Sequence, residues 1–195
     1  MAATVGLTRE HVGIVAAELA DRLGFSRVTV SALARELGVK PASLYAHVRG
    51  LDELREVVAT RAHTVLADAL TQAANPVTGR AALAATAEVM RKFTEQHPGL
   101  WEASRVPFSG EAYVSAARRA SAALAQIARG YGLPETEIPH AVRILGSSIG
   151  GFIGVENAGG FAQSQPETAH SLNRLIDILD RSLLDWPIPI SEETR

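Results

Sequence analysis

The sequence predicts an all-α fold: an N-terminal three-helix domain containing a helix-turn-helix, followed by a C-terminal helical bundle. Three observations carry this. Alanine fills long stretches such as 81–87 and 116–125, while aromatic residues make up only 5% of the 195 residues; alanine and leucine favour helix. Apolar residues recur at helical spacing along the chain. No segment shows strand alternation of useful length, and there is no internal repeat.

Each element follows from local signals. Thr8 can cap a first helix, with Glu10 near the positive end of its dipole. Val12, Val15, Ala16, Leu19 and Leu23 form one apolar face, and Gly24 ends the helix. Thr29 caps a short second helix carrying Leu33, Ala34 and Leu37, which Gly38 stops. Pro41 suits the first turn of a third helix running through about His47, and Gly50 breaks it. Asp52 and Glu53 open a long fourth helix to about Ala73, with Leu54, Val57, Val58, Ala62, Val65, Leu66, Ala69 and Leu70 on its inner side. Asn75-Pro76 reads as a turn and, where the composition shifts toward alanine, as a boundary between two parts that the long fourth helix bridges. Further helices are expected near 79–97, 110–131, 135–157 and 166–185, with a short helical turn near 98–104. The tail 187–195, with two prolines and three charges, is expected to fray.

Composition excludes several classes. An apolar share of 47% is too high for a disordered chain. The absence of cysteine removes disulfides, thiolate metal sites and a cysteine nucleophile. A net charge of −2 rules out a uniformly basic coat. Up to Arg49, however, six basic residues (Arg9, Arg22, Arg27, Arg35, Lys40, Arg49) face four acidic ones (Glu10, Glu18, Asp21, Glu36). That asymmetry suits an N-terminal nucleic-acid contact. No apolar run approaches a membrane span of ~18 residues; the longest, around 144–155, is short and glycine-rich. Residues 1–6 lack a signal-peptide pattern, so a cytoplasmic protein with no membrane partner is expected.

The informative segment is 29–54, TVSALARELGVKPASLYAHVRGLDEL. Leu33, Leu37, Val39 and Leu44 are spaced to share a small core. Ala34 lets a second helix cross closely, and Gly38 permits the sharp turn. This is the pattern of a helix-turn-helix, whose second helix enters the DNA major groove. Lys40, Ala42, Ser43, Tyr45, Ala46 and His47 would face outward. Ser43 and His47 can bond base edges or phosphates, and the Ala46 methyl can meet a thymine methyl. Tyr45, His47, Lys40 and Arg49 can hold phosphates. The spacing alone also fits a plain α-hairpin in a bundle.

The run from Leu33 to Val39, then Leu44-Tyr45-Ala46-His47-Val48, then Asp52-Glu53-Leu54, resembles the TetR family of bacterial transcriptional regulators. The preceding helix, ending at Gly24-Phe25, is also similar. The resemblance implies a homodimer with a helix-turn-helix DNA-binding domain, assigned to 1–52, and a helical effector-binding and dimerisation domain, assigned to 53–195. It implies a repressor released from a palindromic operator by a small molecule, with no cofactor. Carried onto this sequence, the recognition helix falls on 41–47, beginning at Pro41. Thr29, Lys40 and Arg49 are expected to clamp the backbone, with the N-terminus of the first helix assisting. Where the family commonly has a lysine at the start of the fourth helix, this chain has Leu51. Either Arg49 replaces it, or binding is weaker and less salt-dependent.

In the C-terminal part, 143–161 (RILGSSIGGFIGVENAGGF) puts many small residues in one helix. A helical glycine costs about 1 kcal/mol relative to alanine, and a closely approaching second helix would offset that. The next helix is amphipathic through Leu172, Leu175, Ile176, Leu179 and Leu183. With Ile149 and Ile153, these residues are candidates for a four-helix dimer interface; packing inside one chain is the alternative. Met90, Phe93, His97, Trp101, Phe108 and Tyr113, with Phe152 and Glu156, concentrate the large side chains. They read as core or as the lining for a small, mostly apolar effector, with His97 or Glu156 as its polar handle.

Enzyme signatures are lacking. The histidines are scattered without metal-binding spacing, so no metal site is expected. Ser147-Ser148 does not match a nucleophile elbow, and the glycines do not form a phosphate loop. The alternative to a regulator is an all-helical small-molecule-binding or protein-interaction module without DNA contact.

Overall fold

The computed structural model describes residues 7–74, 77–163 and 165–187. Among them the helices are α1 (Arg9–Leu23), α2 (Val30–Glu36), α3 (Pro41–Leu44), α4 (Leu51–Ala74), α5 (Gly79–Gln96), α6 (Pro98–Ser104), α7 (Glu111–Gly130), α8 (Ile138–Asn157) and α9 (Thr168–Leu184). A 3₁₀ turn at Phe25–Arg27 joins α1 to α2, and the described residues contain no strand. The fold is all-α, as the composition implies. The expected turn at Asn75-Pro76, the tail beyond Pro187 and residues 1–6 lie outside the described residues.

The chain divides into two compact units. One holds the described residues up to Asp68 with Lys92–Ala120; the other holds Ala69–Arg91 and those from Ser121 onward. These are packing units, and they cut the chain at other places than the 52/53 division drawn from the sequence.

In the first unit, local signals set the helix ends. The Thr8 hydroxyl accepts from the His11 N–H at 3.1 Å, and the Thr29 hydroxyl from the Ala32 N–H at 3.1 Å; each satisfies a first-turn donor that the helix cannot pair itself. Gly38 stops α2 with φ 65°. The Val39 N–H reaches back to the Ala34 carbonyl at 2.9 Å and the Gly38 N–H to that of Arg35, a Schellman closure. Pro41 then opens α3 without needing a donor of its own. The regular helix ends at Leu44, not near His47 as the sequence suggests. Tyr45, Ala46 and His47 continue as turns, closed by the His47 and Val48 N–H groups on the Leu44 carbonyl.

Leu33, Leu44 and Leu54 are fully buried, as are Val12, Val28 and Val58. Burying each side chain is worth about 1.5–3 kcal/mol, which is how so short a helix as α3 is held. Across the unit, α6 packs on α1. Asp21 links them through both oxygens, accepting from the Leu100 N–H at 2.9 Å and contacting His97 Nδ1 at 2.8 Å. Glu102 answers by accepting from the Phe25 N–H at 2.9 Å. Glu56 of α4 accepts from the Gly110 N–H at 2.6 Å, ahead of α7.

In the second unit, α8 packs on α9. Arg80 of α5 reaches Asp177 of α9 at 2.7 Å, the Tyr131 hydroxyl donates to Asp180, and Trp186 Nε1 donates to Glu137 at 3.0 Å. The sequence expectation for the dimer interface needs correction here. Ile149, Ile153, Leu172, Ile176, Leu179 and Leu183 are buried within the single chain and leave little surface for a second copy, whereas Leu175 is only partly buried and stays a candidate. Their amphipathic stripe is satisfied by the chain's own core. The large apolar side chains left exposed on α8 and α9 are Ile144, Val155, Ile178 and Leu184. One membrane expectation also changes. By length and composition alone, α8 is long and apolar enough to cross a membrane, yet Ile138, Ala141, Leu145, Ile149 and Ile153 on it are buried by protein.

Candidate nucleic-acid interface

The helix-turn-helix hangs its solvent face on three buried anchors. Leu33 from α2, Leu44 from α3 and Val48 beyond it point inward. Between them Lys40, Pro41, Ala42, Ser43, Tyr45 and Ala46 are exposed, and His47 is half-buried. Tyr45 is 56% exposed, an uncommon position for a large aromatic ring in a chain with so few. A bundle hairpin would bury that ring; a groove-binding helix presents it. Thr29 is exposed at the start of α2. Its oxygen caps the Ala32 N–H, which leaves the hydroxyl proton free in geometry to donate outward.

Arg49 follows directly. Its Nε lies 2.9 Å from Glu53 Oε2, and its backbone N–H donates to the same oxygen at 2.8 Å. The other oxygen of Glu53 takes Arg9 Nη2 from α1 at 2.6 Å. Three donors on one carboxylate hold Glu53 ionised, with its pKa lowered to about 2; the Arg49 backbone N–H is the largest cause, followed by the Arg49 and Arg9 side chains. A recess of about 340 Å³ beside them is lined by Arg9, Arg49, Glu53, Thr60 and Tyr113, among others. Leu51, the residue at the family's lysine position, is exposed on the first turn of α4. The sequence places Arg9 only in the N-terminal basic excess and Glu53 only at the start of α4; it does not show that they pair. The signal for Glu53 was its place in the first turn of α4, where a glutamate reaches back over the helix start. Nothing local marks Arg9 as its partner, 44 residues away.

The residues read as an effector lining fall in two separate units. In the first, Phe93 is buried against His97, with ring centres 5.4 Å apart, and Phe108 meets Tyr113 edge-on at 5.6 Å. Tyr113 also meets His63 at 5.2 Å, and Arg105 lies over Trp101 at 5.2 Å. His97 is already engaged by Asp21. In the second unit, Met90 is buried and Phe152 packs on Phe161 at 5.1 Å. Glu156 Oε1 takes Arg91 Nη2 at 2.8 Å and the Thr168 hydroxyl. Glu156 Oε2 is buried and makes no hydrogen bond among the described residues.

Comparison with known proteins agrees with this geometry. Residues 15–58 match the family model described as bacterial regulatory proteins, tetR family, and residues 83–179 match the tetracyclin repressor-like C-terminal domain. The chain is 34% identical over 159 residues to an uncharacterized HTH-type transcriptional regulator, Rv0681, of Mycobacterium tuberculosis, covering 78% of this chain and 72% of that protein. Among solved structures, the transcriptional regulator SCO7222, a TetR from Streptomyces coelicolor, aligns with a TM-score of 0.70 at 22% identity, over 94% of this chain and 100% of that one. BioQ, solved with its double-stranded DNA operator, aligns with a TM-score of 0.65 at 20% identity, over 89% of this chain and 98% of that one. A short exposed helix on buried anchors, placed where the family model lies, leads to one conclusion: the chain belongs to the TetR family of bacterial transcriptional regulators.

Proposed function

We propose that two copies of this chain bind a palindromic operator as a repressor, and that a small, mostly apolar effector releases it. The division at 52/53 then separates DNA reading from effector binding and dimerisation. The observation that carries the DNA reading is the exposed face of Ser43, Tyr45 and Ala46 on anchors that are themselves buried. Ser43, Tyr45, Ala46 and His47 would meet bases and nearby phosphates, while Thr29, Lys40, Pro41, Ala42 and Arg49 set the helix on the backbone. BioQ was solved on its operator, which supports the same use of this helix.

A symmetric dimer suits a palindrome, because two recognition helices ~34 Å apart read successive major grooves. Exposed Ile144 and Val155 on α8 and Ile178 on α9 are the candidates for the pairing surface. A Cβ added to Gly151 or Gly154 meets nothing within 4 Å of this chain, so that side of α8 has room for a neighbouring helix. Release follows if the effector favours a dimer with another helix spacing. The buried, unpartnered oxygen of Glu156 favours an effector carrying one hydrogen-bond donor on an otherwise apolar body. The protein would work in the cytoplasm, where such operators lie, and we assign it no enzymatic activity.

The test is selection of duplexes from a random pool at moderate salt, followed by gel shift. A near-palindromic sequence should be enriched, and changing Tyr45 and His47 together to alanine should abolish its retention with the melting temperature unchanged. Retained specific binding by that variant, or no enriched sequence at all, overturns the reading.

A further inference from the structure

We propose that Arg9 and Arg49 form a two-arginine clamp on the DNA backbone, which Glu53 holds in place as a positioning residue. The proposal rests on the DNA-binding reading above and adds two residues to it.

The geometry is that of a brace behind two cations. The Glu53 side chain is 12% exposed, whereas those of Arg9 and Arg49 are 62% and 88% exposed. The carboxylate thus sits beneath, and the guanidinium groups stand out from it. Arg49 uses Nε on Glu53, and its two Nη groups are not used in that bond. Arg9 uses Nη2, leaving Nε and Nη1. A guanidinium carries five donors in a fixed fork, so each arginine can hold Glu53 on one edge and a phosphate oxygen on another. Both arginines line one recess, and Arg49 lies two residues beyond His47 of the recognition segment.

The clamp also answers the apolar side chain of Leu51. A lysine there would supply one mobile charge; the two arginines supply two, already oriented. Other carboxylates stand close by, since Glu56 and Glu111 line the same recess and Asp52 lines a second one with Arg49, so the phosphate contact rests on the two exposed guanidinium groups and not on a basic recess. Glu53 itself leaves the trio with one net positive charge, and Glu56 is turned to the Gly110 N–H. Ordering matters because a long side chain held in its working geometry loses less entropy on binding.

Two roles for Glu53 predict opposite signs. If it were only a negative charge near the DNA, removing it would tighten binding. As a brace, removing it weakens binding, because both arginines lose their orientation.

The experiment uses the full chain and a fluorescein-labelled random-sequence duplex of about 30 base pairs, three helical turns, titrated between about 50 and 200 mM salt. The plot of log affinity against log salt should flatten by about 0.9 for each arginine lost, hence about 1.8 in a dimer, for Arg9→Ala and for Arg49→Ala. Arg9→Lys should keep the slope. Glu53→Gln should weaken binding and flatten the slope. A merely structural tie between α1 and α4 would move the melting temperature and leave the slope unchanged. An unchanged slope in Arg9→Ala, or tighter binding by Glu53→Gln, overturns the clamp while the regulator reading stands. Failure of the unaltered protein to bind any duplex at the lowest salt sinks both.

Discussion

Gly99 of α6 lies against the backbone of Ala20 in α1 so closely that a Cβ on it would stand 2.0 Å from the Ala20 carbonyl oxygen and 2.5 Å from the Asp21 nitrogen. The obstacle is main chain, so no side-chain rotation can relieve it. The same approach brings the Leu100 N–H to Asp21. Only hydrogen fits at this crossing. Gly99→Ala therefore has to push α6 off α1 and loosen the Asp21 contacts with Leu100 and His97. Overpacking of this kind costs about 1–3 kcal/mol, and the forfeited hydrogen bonds add to it. A fall of roughly 5 °C or more in melting temperature is expected for a chain of this size. An alanine variant that melts with the unaltered protein would show that this approach contributes nothing to stability.

The close contact at Gly99 also shows where sequence reading stops. Thr8, Thr29, Gly24, Gly38 and Pro41 announced their helix ends because a cap or a stop acts on the backbone within four residues. The anchors Leu33 and Leu44 were legible for the same reason, since the turn between them fixes their spacing. Gly99, by contrast, reads as an ordinary early-helix glycine. Its partner Ala20 is far away in sequence, as are the pairs Asp21–Leu100 and Glu102–Phe25, separated by 79 and 77 residues. The end of α3 was overextended because residues 45–47 have no breaker before Gly50, while the Leu44 carbonyl is shared by two donors there. Amphipathicity showed that one side of α9 would be covered. It could not say whether the cover belongs to the same chain or to a second one; Leu179, read as a candidate for the interface, is buried in its own chain, and its neighbour Ile178 is the exposed one.

Those two neighbours make a paired test of the proposed dimer. Ile178 is 59% exposed on α9, and Leu179 beside it is 4% exposed. An aspartate at 178 meets water in the single chain and an apolar partner only in the dimer. Ile178→Asp is expected to give a folded monomer by sedimentation, with its helical circular dichroism retained and operator binding lost. Leu179→Asp buries a charge in the core, at a cost of several kcal/mol, and is expected to unfold the chain. A dimeric Ile178→Asp variant would move the pairing surface away from this part of α9.

His63 of α4 supplies a pH-dependent test. Both of its ring nitrogens are shut off from solvent and make no hydrogen bond among the described residues; its ring stands edge-on to Tyr113. Burial disfavours the charged form and lowers its pKa below the ordinary 6.5. The unfolded chain therefore takes up this proton first as pH falls. Stability is unaffected above the unfolded pKa, declines as pH drops through 6.5, and levels off only below the lowered folded value. Leucine at this position keeps an apolar body of related size and removes two polar atoms that have no partner. His63→Leu is expected to equal or exceed the unaltered protein near neutral pH, with a margin that widens on acidification. Urea unfolding at about pH 7.5 and about pH 5.5, either side of the free imidazole pKa, measures both margins. Because the other five histidines are common to both proteins, the change in margin belongs to His63 alone. A margin that is the same at the two pH values would mean that His63 finds a proton acceptor or water in solution, and that its ring is not held neutral by burial.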